Sequence, residues 1–109
     1  MPRIVRGDEV LAAAEVAETR HARRRGLLGR EAVDGVLVLR PCRQVHTFGM
    51  RFPLEVAFCD GSGRVVRISR LARGRISPIV LRARWAIEAQ SGTFDRWQLR
   101  PGDVLEVKE

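Results

Sequence analysis

Short alternating or apolar segments separated by turn residues run through much of the chain. Leu54–Cys59 alternates with a period of two, Asp60–Gly63 supplies turn residues, and Arg64–Ile68 is rich in β-branched side chains. This order predicts a β-hairpin. The apolar Val36–Leu39 follows an Asp-Gly turn signal and ends before Pro41, so it is predicted to form a buried strand.

The rest of the pattern adds two strands and one early helix. Trp85–Ala89 alternates, and Val104–Val107 follows the turn residues Pro-Gly-Asp, so both are predicted to be strands. Near the start, Thr19 is placed to cap a short helix that ends at Gly26. We therefore expect a mainly β fold, a small antiparallel β-sandwich or barrel with one short helix near the N-terminus.

Length and composition predict a single globular domain over residues 1–109. The sequence is 45% apolar and 30% charged, which is far from the composition of disordered chains. It contains no linker and no apolar run of signal-peptide or membrane-spanning length, so we expect a cytoplasmic protein without a membrane span. Its two cysteines, Cys42 and Cys59, are expected to be reduced there.

The charge is unevenly distributed along the chain. The net charge is +7, and no acidic residue occurs between Asp60 and Glu88. Seven arginines fall in that window: Arg64, Arg67, Arg70, Arg73, Arg75, Arg82 and Arg84. Such a basic region favours an anionic partner, although a basic face that is simply exposed to solvent is the simpler interpretation.

Within this region, Arg70, Arg73 and Arg75 lie in a segment with glycine, serine and proline, which is typical of a loop. Their guanidinium groups are candidates for binding an anion such as phosphate. Nucleic acid or another polyanion is the corresponding alternative partner. Aromatic residues make up only 6% of the chain and tyrosine is absent, so a base-stacking platform for single strands is not expected.

The chain resembles the bacterial and archaeal family called domain of unknown function 192. The resemblance rests, in chain order, on Thr19, Arg24–Arg30, His46–Phe58, Gly63–Val66, Glu88 and Gly102–Asp103. It implies a small β-sandwich or jelly-roll-like domain with a short helix near the start, and it implies no activity, substrate or cofactor. The sequence departs from many relatives at Gly49, where they carry tryptophan, and at Glu55, where they carry aspartate.

Polar residues in and around the segment QVHTFGMRFPLEV, residues 44–56, suggest a binding pocket. The candidates are His46, Thr47, Glu55, Glu88 and Arg30, because a histidine beside carboxylates can orient a ligand or share a proton. The competing interpretation is that each glutamate is solvated or paired with an arginine. We expect a non-catalytic module that binds a small ligand or a protein partner without a cofactor.

Two kinds of chemistry are the alternatives to simple binding. His46 with Glu55 or Glu88 could supply a general acid and base to a hydrolase-like enzyme, although the sequence has no serine nucleophile elbow or phosphate loop. The second alternative is a soft-metal site, because Cys42, His46 and Met50 are spaced by four. Met50 and the cysteines are also ordinary core residues.

The arginines near the end of the predicted helix have a structural interpretation. Arg24 and Arg25 lie where a helix exposes its negative dipole end, so they are expected to stabilise that end. We favour this role over ligand binding.

Overall fold

Seven strands and two short helices make up the fold in the computed structural model, which describes all of residues 1–109. The strands are β1 (Arg3–Arg6), β2 (Glu9–Ala17), β3 (Val36–Leu39), β4 (Leu54–Cys59), β5 (Val65–Leu71), β6 (Trp85–Gln90) and β7 (Glu106–Lys108). The helices are α1 (Arg20–Arg25) and α2 (Thr93–Trp97). The fold is therefore mainly β, as the turn pattern predicts.

The strands form one mixed sheet in the order β5-β4-β6-β3-β2-β1-β7. Strands β2 and β3 are parallel because the chain crosses over through α1 between them, whereas every other neighbouring pair is antiparallel. The central strands β3, β4 and β6 are buried on both faces.

The sheet is not closed. The two outer strands, β5 and β7, are not paired with each other, although the residues just before them are in contact. An isolated bridge joins Arg64 and Val104, and the Leu105 amide donates to the Gly63 carbonyl at 2.8 Å. Gly63 has a φ of +87°, and a Cβ atom there would overlap the Leu105 carbonyl oxygen, so this close approach requires glycine. The predicted sandwich or barrel is not confirmed, because the seven strands form a single open sheet.

Helix α1 is bounded by two capping interactions. The Ala22 amide donates to the Thr19 side-chain oxygen at 3.0 Å, which satisfies one of the free amides at the helix start. At the other end, Gly26 has a φ of +47° and its amide donates to the Ala22 carbonyl at 2.9 Å. The helix therefore ends in a turn that brings Gly26 over the sheet.

Each face of the sheet carries its own hydrophobic cluster. One cluster contains Ile87 and is completed by Phe94 and Trp97 of α2. The other contains Leu37 and Val56, and it is completed by residues outside the strands: Leu27, Val33, Val45, Met50, Phe52 and Ala83. The face on which a polar residue lies therefore decides whether it meets α2 or the α1 side.

Neither helix of the protein is long and apolar enough to cross a membrane, since α1 has six residues and α2 has five.

Candidate functional site

A cavity of about 340 Å³ opens on the α1 face of the sheet. Its walls come from α1 and the turn after it, from the connection between β3 and β4, and from single residues of β3 and β6. The apolar part of the lining includes Leu27, Leu39, Val45 and Met50. This is a concave, partly apolar site near the lower end of the size range of small-molecule pockets, roughly 300–1,000 Å³.

Glu88 of β6 lies in this cavity and is 5% exposed. It is paired in register with Leu37 of β3 and Val56 of β4, so its side chain shares the α1 face with these apolar residues. Its Oε1 atom is buried and has no hydrogen-bond partner. Burial raises the pKa of the carboxyl group to about 7.

The turn after α1 lies directly over this carboxyl group. A Cβ atom built on Gly26 would lie 3.5 Å from Glu88 Oε1. A side chain at that position would therefore occupy space beside the unpaired oxygen. Because nearly all buried polar atoms in proteins are hydrogen-bonded, the unpaired oxygen in a cavity marks the position where a donor is missing.

Five arginines line the same cavity: Arg20, Arg23, Arg24, Arg25 and Arg43. None of them takes part in the seven ion pairs of the protein. Arg23 donates to the carbonyls of Glu18 and Arg40, and Arg43 donates to that of Ala83. The cavity therefore has a positively charged rim around a single buried acid.

Two stacked aromatic side chains, His46 and Phe48, line the same cavity. The rings of His46 and Phe48 are stacked with centroids 5.1 Å apart and planes 23° apart. The Phe48 amide donates to His46 Nδ1 at 3.2 Å, so that nitrogen acts as an acceptor. Phe48 is 51% exposed, which leaves the pair accessible to a ligand.

The structure does not bring the five predicted pocket residues together. Of His46, Thr47, Glu55, Glu88 and Arg30, the cavity includes His46 and Glu88. The register places Glu55 opposite Ala89, whose neighbour in the chain is Glu88, so the two carboxylates point to opposite faces of the sheet. The predicted grouping of Glu55 with Glu88 is therefore wrong.

Glu55, Thr47 and Arg30 each make contacts that stabilise the fold. Glu55 is fully buried and accepts from the Phe94 amide of α2 and from Arg70 Nε, both at 3.1 Å. The Thr47 hydroxyl donates to the Ala72 carbonyl at 2.5 Å and accepts from the Arg75 amide at 2.9 Å. Arg30 forms a two-pronged ion pair with Glu15 at 3.0 and 2.9 Å.

The residues of the soft-metal alternative lie near one another, but the thiol is not activated. Cys42, His46 and Met50 all line the cavity. Burial is the largest influence on the Cys42 thiol and raises its pKa, and the thiol donates to the Gln44 carbonyl at 3.4 Å. Burial raises the pKa of Cys59 to about 12. No group of three or more His, Cys, Asp or Glu side chains is arranged to hold a metal ion.

The three arginines predicted to bind an anion differ in their contacts. Arg70 forms ion pairs with Glu55 at 3.1 Å and Asp95 at 2.9 Å. Arg73 Nε donates to the Met50 carbonyl at 3.0 Å. The Arg75 side chain makes none of the hydrogen bonds in the protein, although its backbone anchors Thr47.

Sequence reasoning missed the cavity role of the α1 arginines and of Gly26. Arg24 and Arg25 follow the pattern of helix-end residues, and that pattern contains no information about the sheet face that α1 covers. The run of three arginines before a glycine was the available signal. It gains meaning only when Glu88, from a distant part of the chain, is known to lie beneath the turn.

Comparison with known proteins identifies relatives without assigning an activity. The model of the family called domain of unknown function 192, described as Uncharacterized ACR, matches residues 3–107. No curated protein matches the chain.

Two solved structures share the fold. A protein of unknown function from Novosphingobium aromaticivorans is 19% identical, with a TM-score of 0.81 over 96% of this chain and 82% of the other. A candidate transcription regulator from Sinorhizobium meliloti is 22% identical, with a TM-score of 0.78 over 97% and 91% of the two chains. At these identities the likeness concerns the fold alone.

Proposed function

Because the chain belongs to the family of domain of unknown function 192, whose description names no activity, we propose a function from its own cavity. The protein is a binding module that takes a small polar ligand into the cavity beside Glu88. It holds this ligand without transforming it.

The observation that carries this proposal is the unpaired Glu88 Oε1. A buried polar atom without a hydrogen bond costs about 1–3 kcal/mol, and more when it is charged. A hydroxyl or amine of a ligand in the cavity would supply the missing donor. The volume of about 340 Å³ leaves room for a small molecule beside the carboxyl group.

Binding is favoured over chemistry because two of the candidate reactive groups, Glu55 and Cys42, are occupied or inactive. Glu55 is held by α2 and Arg70 on the other face, which removes one member of the hydrolase-like pair. The raised pKa of Cys42 keeps its thiol protonated, whereas a nucleophilic cysteine needs a lowered pKa. The hydrolase-like alternative would depend on His46 and Glu88 alone.

The proposal is tested by NMR titration of the labelled protein with glycerol, ethanolamine and glycerol 3-phosphate. We expect at least one probe to shift the amides of Gly26, Cys42 and Val45 in a saturable way. The variant Glu88→Leu should lose that response, and Glu106→Leu, which changes an exposed acid on β7, should keep it. Saturable shifts from none of the probes, or an equal response in Glu88→Leu, would reject the proposed site.

A second candidate role, binding of a polyanion, is supported by the basic region. Six exposed arginines between residues 64 and 84 have no acidic partner: Arg64, Arg67, Arg73, Arg75, Arg82 and Arg84. The structurally similar protein from S. meliloti is described as a candidate transcription regulator, which is compatible with contact to nucleic acid. The salt dependence of binding tests this role.

A further inference from the structure

We infer that the ligand of this cavity is a small hydroxylated anion, such as a phosphorylated or carboxylated sugar or polyol. The inference rests on the proposed binding function and adds the chemical class of the ligand. Three features of the cavity carry it: the charge of the rim, the unpaired acid and the exposed aromatic pair.

The rim argues for an anionic group on the ligand. Each of Arg6, Arg30, Arg40, Arg51 and Arg70 is paired with an acid elsewhere in the protein. The five arginines of the cavity have no such partner, and Glu88 is the single acid in the lining. Guanidinium groups bind phosphate and carboxylate through paired N–H donors, and a concave positive site concentrates anions.

Glu88 argues for a hydroxyl group on the same ligand. Its buried Oε1 needs a donor, and an oxyanion such as phosphate would approach the ionised carboxylate with like charge. An ammonium group would satisfy the oxygen, but it would enter a site surrounded by five unpaired arginines. A hydroxyl is a neutral donor and avoids both repulsions, so the ligand carries its anion at the rim and a hydroxyl at Glu88.

The aromatic pair argues for a ligand with C–H faces between its polar groups. Phe48 is half exposed and is stacked on His46 at the cavity. A sugar or polyol can place its carbon skeleton against such a ring and against the apolar lining while its hydroxyls remain free to bond. Bare inorganic phosphate cannot use this surface.

The test compares five probes in NMR titrations of the full chain: glycerol, inorganic phosphate, glycerol 3-phosphate, glycerate and ethanolamine phosphate. Because the phosphate group adds a charge-assisted contact at the rim, we expect glycerol 3-phosphate to bind at least about tenfold more tightly than glycerol or phosphate. Glycerate, which replaces phosphate with carboxylate, distinguishes the two kinds of anion. Either anion binding above glycerol and phosphate supports the inference.

Charge-matched variants locate the anion. Arg24 and Arg25 are exposed and their side chains make no hydrogen bond, so Arg24→Gln with Arg25→Gln should leave the fold intact. We expect this pair to weaken glycerol 3-phosphate binding about tenfold, and to weaken it more than it weakens glycerol binding. The control pair, Arg82→Gln with Arg84→Gln, removes the same charge outside the cavity and should change affinity less than twofold. Circular dichroism and thermal unfolding confirm that each variant is folded.

Failure of this inference differs from failure of the proposed function. If glycerol binds in a Glu88-dependent way and neither anion improves on it, the binding module stands and the anionic class is overturned. If ethanolamine phosphate binds more tightly than glycerol 3-phosphate, the hydroxyl assignment is overturned in favour of an amine. If phosphate alone binds as tightly as glycerol 3-phosphate and Glu88→Leu changes nothing, both proposals are rejected.

Discussion

Glu88 connects the candidate site to the pH dependence of stability. Its ordinary pKa of 4.5 describes the unfolded chain, and burial raises the value in the folded protein to about 7. Between these pH values the folded state keeps a proton that the unfolded state has lost. The contribution of Glu88 to the free energy of unfolding is therefore greatest below pH 4.5, falls as the pH rises to 7, and stays low above it.

We predict that Glu88→Gln removes this pH dependence. A shift of this size corresponds to about 3 kcal/mol, because one pKa unit is worth roughly 1.4 kcal/mol. The stability of the variant relative to the wild type should thus rise by up to about 3 kcal/mol between pH 4 and pH 8. Urea unfolding of both proteins across this range measures the difference.

A matched control for this prediction is Glu15→Gln. The hydrogen bond from Arg30 is the main cause that lowers the pKa of the exposed Glu15 carboxyl. Its pH effect should therefore have the opposite sign and be small, because exposed ion pairs contribute little. If the stabilities of wild type and Glu88→Gln change in parallel between pH 4 and pH 8, the pKa of the Glu88 carboxyl group is not raised in the folded protein.

Residue types alone identified part of the candidate site. The sequence marked His46 and Glu88 as polar positions in the pattern, and both line the cavity. The sequence could not show that Glu88 and Glu55 lie on opposite faces of the sheet. The face on which a strand residue lies depends on the register between strands that are distant in sequence. A shift of one residue in that register would reverse every side chain of the strand.

At the scale of elements, α2 is attached to the sheet by a residue outside the helix. The N-cap position is Gly92, which offers no side chain to the free amides of the first turn. Glu55 of β4 takes that role, since its Oε1 accepts from the Phe94 amide at 3.1 Å. The acid that the sequence suggested for a pocket therefore stabilises a helix.

We predict that Glu55→Leu destabilises the protein by about 1–3 kcal/mol, because it leaves the buried Phe94 amide without an acceptor. Amide hydrogen exchange at Phe94 should accelerate with it. The control Asp95→Ala removes the other partner of Arg70, an exposed ion pair, and should cost less than about 1 kcal/mol. Equal costs for the two variants, or unchanged exchange at Phe94, would contradict a capping role for Glu55.

A strand or helix can be predicted from the sequence when the pattern that specifies it lies in or next to it in the chain. Strands β3, β5 and β7 are preceded by turn residues and β4 and β6 alternate with a period of two, so the positions of these five strands follow from the sequence within a few residues. Helix α2 has only five residues, and the acceptor for its Phe94 amide comes from strand β4. No local sequence pattern therefore predicts it. The alanine-rich segment of β2 is strand because it pairs with β1 and β3, which is a tertiary effect.

At the scale of the whole molecule, charge is divided between two regions with different chemistry. The cavity rim presents its arginines around a concave site with one acid, which suits a small anion. The segment from residue 64 to 84 presents exposed arginines on an edge strand and the loop after it. The groove on this surface is lined by Arg67 and Arg82 with the apolar residues Val66, Ile79, Val80 and Leu81 and contains no acid, so the surface suits a long-range attraction to polyanions.

The polyanion role predicts a specific dependence on salt and on residue. Duplex DNA should bind weakly, and the logarithm of the affinity should fall linearly with the logarithm of salt concentration, with a slope of about −0.9 for each phosphate contact. Arg82 is exposed and has no acidic partner. Replacing it by glutamine should therefore reduce the magnitude of this salt-dependence slope by about 0.9. Arg70→Gln is the control, because Arg70 already pairs with Glu55 and Asp95 and should contribute less. Fluorescence anisotropy with labelled duplex DNA at several salt concentrations measures both slopes, and an affinity that stays constant as salt rises would exclude electrostatic binding by this region.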